Sequence, residues 1–482
     1  MSSPRDGKPL TGVALGALVL ALIGCTAPSP GISSSGDERP SAETARSSPG
    51  KTRVPSPPDA PATVPPQPVA APTLLLRSAK PFRLEPVRAR PTACLQPPAR
   101  ADDFRVAGKA PAWKGLAADK DDAFAAPLGV AAAADGTVWA VHDRDGAGYR
   151  PGRLRRWDGS AWRVFDIPAV PFSGPFDSYS NPHTAKQVAV TPDRQVRVFG
   201  SPQYAHRSSG PAMFVHTFDE GRWRSEVFPV AAEPDASVQA RGPWVRYGVG
   251  RALHWTGSAW RSYRLPAPQL GVPGYGGLQD VSMFEGRGDE FWAIAGREGD
   301  GGGWRTGLLR WEGTGWREIG MPGVGGPGRG VLKSGRRLIE TYVMVNDVAV
   351  LGAGDVWVVG AAVMLVETGE DEEVDFRPMA MHWDGRSWSC HWGPAAGDRS
   401  EWFQHAEPDG AGGMWVVSKA GKLWHMSGGR WSRGRLPGFG GCAGPSVDLV
   451  MDLVVRPGGR QVYALGTHRC GRVVRSALWR TG

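Results

Sequence analysis

The chain has 482 residues, 41% of them hydrophobic and 21% charged, which is enough apolar material for a sizeable core. Its 67 glycines and 43 prolines indicate many turns. The formal net charge is +9, but the arginines are scattered through turns and strand ends. Because no run of Lys and Arg and no basic helix pattern occurs, nucleic acid is excluded as an expected partner.

The N-terminal segment has the pattern of an export signal. Two basic residues precede an uncharged apolar run at 11–24, TGVALGALVLALIG. This run is shorter than a membrane-spanning helix, which needs about 20 apolar residues. It ends in Leu22-Ile23-Gly24-Cys25, which resembles the lipobox of bacterial lipoproteins. The resemblance implies cleavage before Cys25 and attachment of diacylglycerol to Cys25, with a further acyl chain such as palmitate. An ordinary signal peptide that contains a cysteine is the alternative.

The segment after Cys25 is rich in Pro, Ser, Ala and Thr as far as about residue 100. Such a chain buries too little apolar surface to offset the entropy lost on ordering. We therefore expect a signal peptide at 1–24, a disordered tether at 25–100 and one folded domain at 101–482. The expected location is the cell envelope, outside the cytoplasm, with the lipid in a membrane. The sequence does not say whether that membrane is inner or outer.

A short aromatic motif recurs through the folded domain. An aromatic residue is followed by a turn with Gly and by a Trp five positions later, and a weaker copy begins with Met. Gly accepts the positive φ of tight hairpin turns, so each copy predicts two antiparallel strands. The copies are Trp157-DGSA-Trp162, Phe218-DEGR-Trp223, Trp255-TGSA-Trp260, Trp311-EGTG-Trp316, Trp383-DGRS-Trp388 and Met426-SGGR-Trp431.

Two further short strands precede most of these hairpins, as in DVAV (347–350) and DVWVVG (355–360). Strand, turn, strand, loop and hairpin make a four-stranded meander, which is one blade of a β-propeller. A seventh blade lacks its outer strand after 477–480, and 110–114 (APAWK) resembles the missing strand. The prediction is an all-β fold, a single propeller of seven four-stranded blades closed by an N-terminal strand. Six or eight blades remain alternatives. Residues 236–248 must supply both inner strands of a short third blade.

DGTVWAV (135–141) followed by LRRWDGSAW (154–162) resembles the repeats of periplasmic two-component-regulator propellers. The resemblance covers most of 110–482 and implies the fold. No sensor-kinase part accompanies it in this sequence, so it does not imply a signalling role. The lyases that open virginiamycin-type lactones are also seven-bladed propellers with short strands, but their catalytic His and Glu have no match here.

Five cysteines are present, and setting Cys25 aside leaves an even four. An even number suits disulfides in an oxidising, exported setting. Cys442 and Cys470 fall at the same open end of one predicted strand pair, so we predict a disulfide between them. Cys94 and Cys390 then pair and fasten the tether to the fifth blade. Four cysteines allow three pairings, and the other two remain open.

Polar residues recur ten to twelve positions upstream of the aromatic in each second strand. The innermost strands of a propeller line its central channel, so these residues predict a ring at the channel mouth that binds a cation or a polar ligand. The alternative is that each Asp accepts hydrogen bonds from nearby backbone N–H groups. The candidates are Gln187, Asp280, Asp347, His405 and Asp452.

No cofactor is expected, and the sequence assigns no metal. Two loops offer oxygen ligands for Ca²⁺, the acidic stretch Glu367–Asp375 and the Gly-rich stretch Glu298–Gly303, but neither has EF-hand spacing. The expectation for both is a solvated insertion.

The expected function is a lipid-anchored binding or scaffolding module whose ligand is a glycan, a peptide or a protein. Function on a propeller depends on the residues grafted onto it, so the fold does not choose the ligand. The alternative is an exported lyase or hydrolase with acid and base groups from Asp280, Asp347, His405 and Asp452. We expect a binding protein rather than an enzyme.

Overall fold

The computed structural model describes Cys94 and, from residue 106, most of the remaining chain. The described residues are 106, 108–118, 127–142, 152–168, 184–191, 193–201, 213–219, 221–228, 238–241, 244–247, 251–264, 281–284, 291–298, 304–312, 316–323, 337–368, 371–394, 401–440, 446–471 and 473–482. The expected signal peptide and, apart from Cys94, the expected tether lie outside these residues. Within them, no helix is long and apolar enough to cross a membrane.

All regular structure in the described residues is β-strand. The first fourteen strands are β1 (Trp113–Ala118), β2 (Pro127–Ala132), β3 (Val138–His142), β4 (Arg153–Trp157), β5 (Trp162–Asp166), β6 (Thr184–Val190), β7 (Val196–Ser201), β8 (Met213–Asp219), β9 (Arg222–Phe228), β10 (Val238–Arg241), β11 (Trp244–Tyr247), β12 (Arg251–Trp255), β13 (Trp260–Arg264) and β14 (Val281–Phe284). The other fourteen are β15 (Phe291–Glu298), β16 (Trp304–Trp311), β17 (Trp316–Gly320), β18 (Arg337–Gly352), β19 (Asp355–Thr368), β20 (Asp371–Trp383), β21 (Trp388–Trp392), β22 (Phe403–Pro408), β23 (Met414–Ser418), β24 (Leu423–Ser427), β25 (Arg430–Arg433), β26 (Ser446–Val455), β27 (Val462–Cys470) and β28 (Val473–Thr481).

These strands form seven four-stranded antiparallel sheets. Blades 1 to 6 take consecutive groups of four strands from β2 to β25, and blade 7 has the order β26-β27-β28-β1. The first strand of each blade contacts the first strand of the next, and β26 contacts β2, so the ring is closed. The predicted seven-bladed propeller is confirmed, and six or eight blades are excluded.

The ring is closed by the N-terminal strand, as predicted. β1 pairs with β28 from Trp113 opposite Thr481 to Ala118 opposite Ala477. Trp113 is buried and meets the edge of Trp415 in blade 6 at 4.8 Å between ring centroids. The strand therefore satisfies the outer edge of the last blade and adds an aromatic to its core.

The recurring aromatic motif forms the outer hairpin of the blades. In each of the six copies the two motif residues face each other across the hairpin, as Trp157 does with Trp162. In that turn Asp158 accepts hydrogen bonds from the backbone N–H of Ala161 and from the hydroxyl of Ser160. These bonds lower the pKa of the Asp158 carboxyl to about 2.

Blade 3 is short, and both of its inner strands come from the predicted stretch, as β10 and β11. The cores lie between blades, where aromatic and aliphatic side chains of adjacent sheets interdigitate. Trp479 of blade 7, for example, is fully buried among residues of blades 6 and 7. A buried Trp typically removes about 150–250 Å² from water, so these contacts supply much of the packing energy.

Cys94 forms a disulfide with Cys390 in β21, as predicted. Cys94 is buried in the cluster between blades 4 and 5, and its N–H donates to the carbonyl of Gly323. Cys470 is disulfide-bonded at the end of β27. Cys442 lies outside the described residues, so its pairing with Cys470 stays a prediction.

Candidate functional site

The candidate ring residues occupy one structural position in their blades. Each follows a register shift in the innermost strand, and each then pairs with the second strand of the same blade. The pairs are Gln187 with Phe199, Asp347 with Val359, His405 with Val417 and Asp452 with Leu465. Asp280 lies outside the described residues. In blade 1 the same position is held by Gly129, opposite Val141.

The Asp347 carboxylate joins blade 5 to blade 6. One oxygen accepts the N–H of Val348, 2.9 Å away in the same strand, and the other accepts the N–H of Ala406, 3.0 Å away in β22. Asp347 is only 3% exposed. A carboxylate so placed satisfies two buried backbone donors of adjacent blades.

Asp452 makes the same pair of bonds between blades 7 and 1. Its oxygens accept the N–H of Leu453 at 2.9 Å and the N–H of Val130, in β2, at 3.3 Å. This joint lies where the last blade meets the first, so Asp452 supports ring closure at the inner edge while β1 supports it at the outer edge. These contacts match the structural alternative for the ring residues.

Of the four described candidates, the structure brings Asp347 and His405 together. Nδ1 of His405 lies 3.7 Å from the carboxylate of Asp347, and His405 is partly exposed. Asp452 belongs to the joint between blades 7 and 1, and Gln187 to blade 2. Across the described part of the chain, no three His, Cys, Asp or Glu side chains are grouped so that they could hold a metal ion.

The register shift at this position is a β-bulge, which the sequence analysis did not predict. Directly opposite the bulge, Gly360 and Gly466 pair with Val345 and Val450. A Cβ on either glycine would lie about 2 Å from a carbonyl oxygen of the innermost strand, so only glycine permits this approach. Both glycines close the repeated second-strand run, as in DVWVVG, so the repeat contained a signal for the bulge.

Two blades rise far above the ring on one face. Before the shared bulge position, β18 has ten residues and β26 has six, whereas β22 of blade 6 has two. At about 3.3 Å per residue, the strands of blades 5 and 7 extend about 26 Å and about 13 Å beyond blade 6. We call residues 337–346, 360–368 and 371–379 the blade-5 arm, and residues 446–451, 466–471 and 473–477 the blade-7 arm.

The acidic stretch expected as a loop is part of the blade-5 arm. Val366 pairs with Glu373, Glu367 with Glu372, and Thr368 with Asp371, so the stretch is a strand hairpin. The prediction of a loop was wrong because the local sequence is polar, whereas the strand depends on pairing between β19 and the long third strand β20. At Asp375 one carboxylate oxygen accepts from Arg377 at 3.1 Å.

Exposed large apolar side chains are concentrated on the arms. The described residues include eight exposed large apolar side chains, and five of them are on the arms, namely Val374, Val447, Leu449, Met451 and Val473. Such clustering is a mark of an interaction surface, whereas isolated exposed apolar residues are ordinary.

Blade 6 ends between the two arms in an aromatic platform. Trp402 lies 4.8 Å from Phe376 of the blade-5 arm, between ring centroids. The ammonium group of Lys419 lies 3.9 Å from the centre of the Trp402 ring, and the Lys419 N–H donates to the Trp402 carbonyl. On the other side, the carbonyl of Gly421 accepts the N–H of Val450 in the blade-7 arm. The top of blade 6 therefore connects directly to both arms.

At the strand ends opposite the arms, histidines pair with turn carboxylates. Nε2 of His425 lies 2.8 Å from Asp409, and Nε2 of His382 lies 2.7 Å from Asp355. Burial acts to raise the pKa of Asp409, but the hydrogen bonds from His425, Ala411 and Gly413 outweigh it and lower that pKa. These pairs secure the turns between the first and second strands.

No protein-family model and no curated protein matches this sequence. Among solved structures, YCF48 from Cyanidioschyzon merolae matches at 12% identity and a TM-score of 0.40, covering 77% of this chain and 98% of that chain. The propeller domain of the Trilobed protease from Pyrococcus furiosus matches at 10% and 0.42, covering 74% and 95%. An ulvan lyase of family PL25 matches at 9% and 0.43, covering 75% and 95%. At these identities and TM-scores, the matches assign neither a ligand nor an activity to this chain.

Proposed function

We propose that this protein is a lipid-anchored, exported propeller that acts as a binding or scaffolding module at the cell envelope. The lipobox at Leu22–Cys25 supports the anchor, and the Pro-rich stretch to about residue 100 supports a tether that holds the propeller away from the bilayer. In this proposal 1–24 is removed, 25–100 is the tether and 101–482 is the binding domain.

The observation that carries the binding role is the concentration of exposed apolar side chains on two arms that rise from one face of the ring. Folding gains nothing from apolar groups left in water, and three of these side chains, Val447, Leu449 and Met451, occupy alternate positions of one strand, β26. A partner that covers this strand is the best explanation for their exposure.

The contacts of the ring residues weigh against the alternative of a lyase or hydrolase. An acid or base must reach a proton of the substrate, and the carboxylates of Asp347 and Asp452 are buried and accept backbone N–H groups on both oxygens. Both carboxylates make the hydrogen bonds expected of residues that join adjacent blades, and each lies in a different joint.

The anchor is tested by intact-mass spectrometry of the protein extracted from membranes with detergent. The expected mass lacks residues 1–24 and includes acyl chains on Cys25, and C25S leaves the protein without added lipid mass. Loss of 1–24 with no lipid on the wild-type protein would contradict the anchor.

The binding role is tested by incubating the extracted protein with arrays of peptides and of oligosaccharides and then measuring the masses of the ligands. Saturable binding with unchanged ligand masses is expected. A new product that disappears in a D347N or D452N variant that remains folded would establish the enzyme alternative instead.

A further inference from the structure

We propose that the face of the ring opposite the arms carries a cationic surface that lies on an anionic lipid bilayer. Arg194, Arg456 and Arg460 form this surface, which we call the basic arc. The inference goes beyond the proposed binding role, and it rests on the proposed lipid anchor to bring a bilayer within reach. It depends on where the three arginines lie, on the carboxylates beside them and on the backbone of Arg194.

The arc is built from turns between the first and second strands of neighbouring blades. Arg456 and Arg460 belong to the turn of blade 7 at 456–461, and Arg194 belongs to the turn of blade 2 at 191–195. Blade 1 lies between them and contributes the turn at 133–137. Arg194 and Arg460 are exposed, and Arg456 is partly exposed. All residues of these three turns except Pro192 are described.

The three turns end at one level. The paired strands run on to Ala132, Val190 and Val455, each of which lies three residues after the shared bulge position of its blade. The arms extend from that position in the opposite direction. A planar partner can therefore meet the turns of blades 7, 1 and 2 together.

Contacts with adjacent blades hold the two arginines of blade 7. Nε of Arg456 donates to the carbonyl of Ala134 in blade 1 at 2.9 Å, and Nη1 donates to Oε1 of Gln461 at 3.2 Å. These bonds use two of the five N–H donors of its guanidinium group. The Cα and Cγ atoms of Arg460 lie against Gly410 of blade 6, where an added Cβ would be 2.9 Å from each. The positions of both arginines are therefore fixed by the ring.

One exposed carboxylate, Asp135, lies in the blade-1 turn. Hydrogen bonds from the backbone and side chain of Thr137 lower the pKa of Asp135, and the positive charges of Arg156 and Arg194 lower it further. Both guanidinium groups are thus close to this carboxylate, and Arg156 is partly exposed. Together with the arc, Arg156 brings the positive charges to four against one negative charge.

The carboxylates of the flanking turns have partners inside the fold. Asp193 of blade 2 lies 3.3 Å from the buried guanidinium group of Arg197, so these two charges cancel and Arg194 remains as the net charge of its turn. Asp409 of blade 6 lies 2.8 Å from Nε2 of His425, and both side chains are largely buried. The surface of the arc therefore stays positive.

Arg194 has a backbone conformation that favours glycine. Its φ is +62°, and among the described residues it is the one non-glycine residue with a positive φ. Its N–H donates to the carbonyl of Thr191, as the N–H of Gly136 donates to that of Ala133 in the equivalent turn of blade 1. A side chain at such a position costs stability, so the fold alone favours glycine there. Residues held in strained conformations concentrate at functional sites.

A bilayer is the anionic partner that the proposed anchor keeps nearby. The proposed tether ends at Cys94, which is bonded to Cys390 at the rim of the ring. A flexible chain of that length spans roughly 45 Å, which lets either face of the propeller reach the membrane. Phosphate groups of lipids accept the N–H donors of arginine, and each arginine near an anionic surface adds attraction. With the arc on the bilayer, the arms point away from the membrane toward a partner.

The experiment measures energy transfer from the tryptophans of the full-length protein to a dansyl-labelled lipid in vesicles. One set of vesicles contains phosphatidylcholine alone, and the other contains about one third phosphatidylglycerol. Transfer should be about twofold greater on the anionic vesicles, because the arc draws the ring onto the lipid surface. Added salt should return it to the level of the neutral vesicles. Equal transfer on both vesicles would overturn the proposal.

Paired charge reversals locate the contact. Arg194→Glu with Arg460→Glu should bring transfer on the anionic vesicles to the level of the neutral ones. The matched control, Arg469→Glu with Arg475→Glu, makes the same change of charge on the blade-7 arm and should keep the excess transfer. Thermal unfolding confirms that both variants are folded. If the two pairs reduce transfer equally, net charge rather than the arc causes the attraction and the proposal is wrong.

Arg194→Gly separates membrane contact from stability. This variant removes one positive charge and the strain of a side chain at positive φ, so it should lower transfer on the anionic vesicles and raise the thermal midpoint. A fall in the thermal midpoint, or unchanged transfer, would mean that Arg194 serves the fold and would remove it from the arc.

Failure of the arc and failure of the anchor give different results. A lipidated protein with equal transfer on both vesicles retains the anchor and overturns the arc. An unlipidated protein that floats with anionic vesicles alone overturns the anchor and retains the arc. Binding of labelled polygalacturonate through Arg194 and Arg460, with no effect of vesicle composition, would make the arc a polysaccharide site and overturn the bilayer contact.

Discussion

The innermost strands of blades 5 and 7 each have two parts that use their residues differently. After the bulge, β18 and β26 lie in the ring, where Asp347 and Asp452 are buried and bond to the backbone of the next blade. Before the bulge the same strands rise into the arms, where apolar and charged side chains meet solvent. One strand therefore supplies stability at one end and exposes apolar side chains at the other.

Substitutions of the ring carboxylates should lower the stability of the protein more than any others. Replacing Asp452 or Asp347 by Ala leaves two buried N–H donors unpaired, at about 1–3 kcal/mol each. Each variant should lose about 2–6 kcal/mol of unfolding free energy, and the double variant about the sum because the two carboxylates lie in different joints. Urea denaturation measures the losses. Asp452→Asn keeps one acceptor oxygen and should lose less unfolding free energy. If the double Ala variant were as stable as wild type, the ring carboxylates would not stabilise the joints between blades.

Next in size is the disulfide at the rim. Cys390 belongs to β21, which pairs with β20 from Met379 to Trp383, at the base of the arm and in the ring. Cys390→Ser should therefore lower the unfolding free energy by about 2–4 kcal/mol. Differential scanning calorimetry measures this loss. Cys94→Ser and the double variant should match Cys390→Ser, because all three remove one bond, and an additive double variant would be inconsistent with that pairing.

Acid should destabilise the propeller by protonating carboxylates in its turns. The pKa of Asp409 is lowered in the folded protein, as are those of Asp158 and Asp384, which accept backbone N–H groups. A lowered folded pKa contributes stability that is present above the unfolded value of about 3.9 and is lost as pH falls through the folded value. Denaturation midpoints should thus decline below about pH 4. Asp409→Asn should show a shallower decline, and an unchanged slope would count against Asp409.

The smallest effect is expected in the arms. Val374→Ser and Val473→Ser change exposed side chains, so each should alter the unfolding free energy by less than about 0.5 kcal/mol. Thermal unfolding of both variants beside wild type measures this. A loss of 2 kcal/mol or more would mean that the valines are packed in the fold and would remove the reason to assign them to a ligand.

Much of the architecture could be predicted because it depends on local chemistry that repeats. The Trp–turn–Trp spacing makes each outer hairpin, and the AWK segment at 112–114 completes the hairpin truncated at 477–480. The disulfide between Cys94 and Cys390 was predicted by elimination, after Cys442 and Cys470 had been assigned to one predicted strand pair. The bulge was missed, although Gly360 and Gly466 close the repeated strands and marked it.

The sequence alone was enough to predict the fold class and the strand that closes the ring, and it favoured seven blades over six or eight, since turn residues and strand periodicity act over a few neighbouring positions. The role of the ring carboxylates follows from the fold alone, because the partners of Asp347 and Asp452 include the N–H groups of Ala406 and Val130, distant in the chain. The same is true of the long strands of blades 5 and 7, which rise from one face on either side of blade 6. That relation depends on the order of blades around a closed ring, which no local pattern contains.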